Sequence, residues 1–178
     1  MKNILYHTKY LDLKSVKAKS GHDWVYAHRP NAKDVVVILP ATEDEVLFLI
    51  EERPPICAEN IGKYAIGLAA GLVGDERVGE SIIEAIKAEL LEETGLVSDN
   101  IDIKAHNVAS SAGCLSETCT IAIAHIKDKK IIEKPVDDGG IIVGRVWIKK
   151  TEIKAWLKSK EEQGYILTAQ ALAALFYL

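Results

Sequence analysis

Hydrophobic and polar positions alternate along much of this chain, in blocks short enough to be strands. Residues 24–29 carry Trp24, Tyr26 and His28 against Val25 and Ala27, and predict a strand. Residues 34–40 are an almost unbroken apolar run, the mark of a strand buried on both faces. The polar stretch Ala41-Thr42-Glu43-Asp44-Glu45 predicts a turn, with residues 46–51 returning as its hairpin partner. A short strand is expected at 64–68. Residues 101–109, 118–125 and 141–148 give later strands, with Asp137-Asp138-Gly139-Gly140 as a turn before the last of them.

The period changes to that of a helix at 80–94. Ile82, Ile83, Ile86 and Leu90 make an apolar stripe, and Gly95 supplies the φ freedom of a helix C-cap. Residues 151–160 predict an amphipathic helix capped by Thr151, and the apolar stretch from 167 onward a closing helix. Strands and helices in this order imply an α/β (α+β) fold in which a mixed sheet lies between helices.

Composition changes the picture mainly by exclusion. The chain has 178 residues and a net charge of −4, within the size of a single domain with a sizeable core. No Lys/Arg stripe with interleaved aromatics is present, so no nucleic-acid groove is expected. No apolar run is long enough to span a bilayer, and the first residues lack the apolar core of a secretion signal. Three cysteines, Cys57, Cys114 and Cys119, lack paired metal spacing and are expected as reduced thiols. The expectation is a soluble cytoplasmic protein without a nucleic-acid or membrane partner.

The candidate chemistry lies on the helix at 80–94. Glu89 and Glu93 are four residues apart and share a face, with Glu92 at its border. Such a run is a solvated face, with Lys87 pairing Glu84, or a cluster whose repulsion a cation relieves. Hard oxygen donors on a rigid helix suit Mg²⁺ or Mn²⁺.

The longer pattern resembles the Nudix hydrolase box, G-x5-E-x7-R-E-U-x-E-E-x-G-U, with U a bulky apolar residue. Counting back from Gly95, the resemblance matches Glu93, Glu92, Leu90, Glu89 and Glu80, while Ala88 stands where the family has arginine. Ala69-Ala70-Gly71-Leu72-Val73 is similar to the P-A-G-L run that holds the box glycine. With Gly71 as the equivalent, the loop to Glu80 is extended by three residues. Further similarity points to the ADP-ribose or ADP-sugar pyrophosphatase subgroup. It rests on Trp24-Val25-Tyr26 with Arg29-Pro30, on Glu51-Glu52-Arg53-Pro54-Pro55, and on the loop Ser111-Ala112-Gly113-Cys114-Leu115-Ser116-Glu117. The departures are Ala69 and Ala112 for prolines, Gly67 for a glutamate and Glu52 for an aromatic residue.

The resemblance implies one Nudix domain over 1–178, with an N-terminal strand region at 1–32 and an α/β/α sandwich at 33–178. It implies that Glu89, Glu92, Glu93 and the Ala70 carbonyl serve a Mg²⁺ or Mn²⁺ site, with Glu80 either ligating through water or bracing the loop. Glu117 would orient or deprotonate the attacking water, with Glu92 as a second catalytic candidate. Trp24, Arg29, Arg53 and Gly71 are the substrate-binding candidates. Trp24 is either a stacking surface for adenine or a core residue, and Arg29 and Arg53 hold phosphate or form surface ion pairs. The implied reaction is cleavage of ADP-ribose or a related nucleotide sugar to AMP and a sugar phosphate, in a homodimer. The alternatives are a weakly active or non-catalytic nucleotide-binding module, or a Nudix enzyme with another nucleotide substrate.

Overall fold

The computed structural model describes residues 2–74 and 79–178. The N-terminal strands β1 (Lys2–His7), β2 (Asp12–Lys17) and β3 (Asp23–His28) form an antiparallel three-stranded sheet in that order. Only β3 is evident as a strand from the sequence pattern. β1 is exposed along its length, so it has no buried face to imprint a period-2 signal.

The larger sheet grows from β4 (Asp34–Ala41) and β5 (Glu45–Glu51). These two are the expected hairpin, but they pair only at its base, through Ala41 and Val46. Beyond that point they diverge. After β5 come a short helix α1 (Pro54–Ala58), β6 (Ala65–Gly67) and β7 (Ala69–Val73). The expected loop after 68 is thus a strand, because β7 pairs antiparallel with β4 from Val73 opposite Asp34 to Ala69 opposite Ile38. Helix α2 (Ile82–Thr94) follows, then β8 (Ile101–Ala109) and β9 (Thr118–His125), at the spans the pattern predicts. A 3-10 turn at Asp138–Gly140 leads to β10 (Ile142–Lys149), and the chain ends in α3 (Ile153–Glu162), β11 (Ile166–Leu167) and α4 (Ala169–Leu175).

β4 pairs parallel with β9, β9 antiparallel with β8, while β5 pairs antiparallel with both β10 and β6, and β6 parallel with β11. The sheet is therefore mixed. Alternation on β4 sorts its two faces: Val36 and Ile38 pack with Ile86 and Leu90 of α2, whereas Val37 and Leu39 pack with Ile153 and Leu157 of α3 and Ala171 and Ala174 of α4. Helices on both faces make the expected α/β/α layering. No helix among the described residues is long and apolar enough to cross a membrane.

Several local expectations are corrected. α2 starts at Ile82, not at 80, because Ser81 caps it: its hydroxyl accepts from the Glu84 N–H while the Glu84 carboxylate accepts from the Ser81 N–H. Glu84 is thereby engaged, and Lys87 pairs with Asp99 at 2.8 Å instead. Ile83 is exposed, and Ala85 joins Ile86 and Leu90 in the core. Gly95 ends the helix at φ 72°, ψ 7°, the left-handed cap expected of it. α3 is preceded by Glu152 without a side-chain cap, so Thr151 does not cap it. The last helix begins after Thr168, whose hydroxyl accepts from Ala171 N–H.

Candidate active site

β7 delivers Ala70 and Gly71 beside the second half of α2. The Ala70 N–H donates to Glu93 Oε2 at 3.0 Å, which ties the helix carboxylate to the strand. Gly71 is required by Glu89: a Cβ at residue 71 would lie 1.7 Å from Glu89 Oε1. The helix and strand can approach this closely only because no side chain stands between them.

Around this contact lies a cavity of about 480 Å³ lined by Glu89, Glu92 and Glu93 of α2, Ala70 and Gly71 of β7, Arg29, Glu51, Arg53 and Glu117 among others. Residues far apart in sequence thus share one acidic cleft. Glu93 is only 7 % exposed. Burial, opposed by the Ala70 hydrogen bond, pushes its carboxyl up to about 8, and the like charges of Glu89 and Glu51 add to this while Arg53 counters it. Burial disfavours its charged form.

Glu117 comes from the loop before β9 and is held by Arg29, whose Nε donates to Glu117 Oε2 at 2.8 Å. Of the two readings open for Arg29, phosphate contact or ion pair, the fold shows the ion pair, with Glu117 as its partner. The loop is itself anchored to β3: Ala27 N–H donates to Cys114 O, and His28 Nδ1 lies 2.8 Å from Ser116 Oγ. Trp24 does not belong to the core. It is 53 % exposed and donates from Nε1 to Gly113 O at 2.7 Å. It braces the Glu117 loop and does not line the cavity.

Glu80 is also outside the cavity lining. It lies ahead of the α2 cap and accepts from Gly74 N–H at 3.4 Å. The centre of the extension expected between Gly71 and Glu80, residues 75–78, lies outside the described residues.

Four residues in or beside the cleft were not identified from sequence. Glu51 is 2 % exposed and receives both Arg53 Nε (2.7 Å) and Nη2 (2.8 Å). Arg145 of β10 donates from Nε to the Glu93 carbonyl at 2.5 Å, from Nη1 to Asp137 at 3.0 Å and from Nη2 to the Val136 carbonyl at 2.9 Å. It clamps the last turn of α2, where a cation complements the helix dipole. Thr168 and Gln170, at the start of α4, complete part of the wall. A buried Glu at the end of an apolar strand was the available signal for Glu51; nothing local marked Arg145.

The donor chemistry fits a hard divalent cation: the three carboxylates of α2 face one cleft together with those of Glu51 and Glu117. Among the described residues, no three His, Cys, Asp or Glu side chains already converge as a closed metal cluster.

The mixed sheet between helical layers, with α2 packed against β7, defines a fold of the Nudix type. A solved structure described as an ADP compounds hydrolase is similar to this chain, with a TM-score of 0.68 and 19 % identity over 99 % of this chain and 88 % of that one. At that identity the likeness carries the fold alone. No family model matches the sequence, and no curated protein matches it.

Proposed function

We propose that this protein is a Mg²⁺-dependent pyrophosphohydrolase of the Nudix type, with Mn²⁺ as an alternative cation. Its proposed substrate is ADP-ribose or a related nucleotide sugar, cleaved to AMP and a sugar phosphate. The observation that carries this reading is the shared cavity: Glu89, Glu92 and Glu93 on one helix, Glu117 on a separate loop, and two arginines facing the same space. Acidic donors alone would repel a pyrophosphate, and arginines alone would bind it without a means of activating water. Both together are what hydrolysis of a doubly shielded anhydride needs.

In this reading Glu89, Glu92 and Glu93 would hold the cation, the Ala70 carbonyl would add an oxygen, and Glu80 would act from outside the cavity. The cation would neutralise phosphate oxygens and acidify a bound water. Ala70 N–H orients the Glu93 carboxyl, and Gly71 lets Glu89 reach the cleft. Glu117 orients the attacking water and takes its proton as the new phosphorus–oxygen bond forms and the anhydride oxygen departs, with Glu92 as the second candidate for this role. Arg29 fixes Glu117 until a phosphate competes for its guanidinium; Arg53 offers a second anion contact. Trp24 stands beside the Glu117 loop with an exposed indole for a base to stack on.

A second copy of the chain is proposed to cover the N-terminal sheet. Ile4, Leu5, Tyr6, Leu13 and Val25 are exposed there, and a homodimer would bury this apolar surface. Sedimentation at micromolar concentration tests it; a monomer throughout, unchanged by Tyr6→Lys, would remove the dimer from the reading.

The pairing of Glu117 with Arg29, together with Ala88 at the arginine position of the box, favours one rival: a nucleotide-binding module with little or no turnover. Hydrolysis of ADP-ribose, ADP-glucose, NADH, a diadenosine polyphosphate and dNTPs, each with Mg²⁺ or Mn²⁺ and with Glu93→Gln beside it, separates the readings. Metal-dependent release of AMP from ADP-ribose, lost in the variant, is the expected result. Cleavage of another compound alone would change the substrate, and nucleotide binding without any cleavage would favour the module.

A further inference from the structure

We propose that Glu51 is a positioning residue, which uses the space left by Gly67 to hold the Arg53 guanidinium toward the cleft as a seat for a substrate phosphate. This rests on the cleft being a nucleotide diphosphate site, as proposed above, and deepens that reading.

The register places the parts. Leu49 pairs with Gly67 and Glu51 with Ala65 across β5 and β6. Glu51 has the parity of Leu47 and Leu49, both packed with the α2 side of the sheet, so its side chain rises on the face where α2 lies. Gly67 is its diagonal neighbour on that face. A Cβ on Gly67 would come within 2.8 Å of Glu51 Oε1 and 2.9 Å of Oε2 and Cδ. The carboxylate thus lies across the glycine, and a side chain there would displace it.

Arg53 is fixed at both ends. Pro54 follows it and disfavours helical backbone at Arg53, which is extended at φ −77°, ψ 114°. Its head is received by the two Glu51 oxygens in a fork-to-fork pair. One partner of the pair is wholly buried and the other 37 % exposed. Here the buried member is the carboxylate, and the guanidinium lines the cleft with Glu89, Glu92 and Glu93. An arginine on a free stem would lose much of its side-chain entropy when a phosphate binds; one already held loses little. The segment after β5 therefore presents a pre-oriented cation in the cleft that the helix carboxylates also line.

The test compares wild type with Glu51→Gln, Glu51→Asp and Glu51→Ala/Gly67→Glu, the last moving the carboxylate to the neighbouring strand and clearing the space it needs. Three quantities are read: ADP affinity without metal by calorimetry, KM and kcat on whichever compound wild type cleaves, and Tm. The expected result is a roughly tenfold loss of ADP affinity in Glu51→Gln, with the kinetic loss in KM more than in kcat, and recovery in the double variant. Glu51→Asp keeps the charge but withdraws it, and is expected to lose affinity while remaining folded, which keeps the test open should Glu51→Gln not fold. Unchanged ADP affinity in both single variants would overturn the proposal, as would a loss confined to kcat, which would make Glu51 a member of the reacting group. Wild type that does not bind ADP would also overturn it. Wild type that binds ADP and cleaves nothing would leave the affinity comparison decisive here while removing the hydrolase reading.

Discussion

Glu89 occupies the volume that a side chain at Gly71 would need, with its Oε1 1.7 Å and its Cδ 2.0 Å from the Cβ position. Strand β7 and helix α2 are therefore matched at this one point. Gly71→Ala is expected to push Glu89 out of its place and to lower metal-dependent hydrolysis about 10- to 100-fold. Because the displaced group is the end of a flexible side chain, the fold should survive. Parallel measurement of kcat and Tm checks this; a loss of Tm that matches the loss of activity would make Gly71 a packing residue only.

Glu93 links stability to pH in the metal-free protein. Its folded-state value near 8 lies above the ordinary 4.5, so the folded chain holds a proton that the unfolded chain has released between these two values. Stability is full below about pH 4.5, falls as pH rises through that window, and flattens above 8. The whole effect is on the order of 5 kcal/mol. Glu93→Gln is expected to remove the slope and to raise Tm at pH 8. Tm measured from pH 5 to 9 without metal is the check, and a parallel slope in the variant would assign it to other groups.

Arg145 closes the end of α2 onto the loop that carries Val136. Two further bonds cross the same junction, from Ile132 N–H to the Gly95 carbonyl and from Val136 N–H to the Glu92 carbonyl. Arg145→Met keeps the stem and removes three donated bonds, and is expected to cost about 3 kcal/mol. Denaturant unfolding gives the magnitude. Amide exchange at Ile132 and Val136 should quicken in the same variant; protected amides there would confine the role of Arg145 to the helix end.

The capping assignments separate cleanly. Ser81→Ala and Thr168→Ala each remove a side-chain acceptor from a helix start and should each cost about 1 kcal/mol. Thr151→Ala should be neutral, since α3 has no side-chain cap at its start. Urea unfolding of the three variants decides between them.

Ala88→Arg places a guanidinium next to the box carboxylates. Arg53 already counters the charge on Glu93, so the gain in turnover should be under tenfold, by the scale of one charge-assisted bond. An inactive Ala88→Arg variant with unchanged Tm would mean that the cleft has been rebuilt around the absent arginine.

What was legible in the chain was whatever a local period or a cap can write. The spans of β8 and β9, the shared face of Glu89 and Glu93, and the left-handed turn at Gly95 follow from neighbours within one or two helical turns or from period-2 alternation, and the fold kept them. Glu117 could be singled out by the loop pattern around it, but not its bond to Arg29, 88 residues earlier. The same limit explains Trp24, whose size favours burial while its partner, the Gly113 carbonyl, draws it to the surface. β7 was concealed because Ala69-Ala70-Gly71 has weak strand propensity and becomes a strand only by pairing with β4. Glu51 and Arg145 act through long-range register: one depends on the glycine diagonal to it on β6, the other on β10 lying beside β5. Short-range rules reach the helix that carries the carboxylates. The cations that face or brace them lie on a strand, Arg145, or just past the ends of strands, Arg29 and Arg53, and the neighbours of those strands are chosen by burial of the whole sheet only when the chain closes.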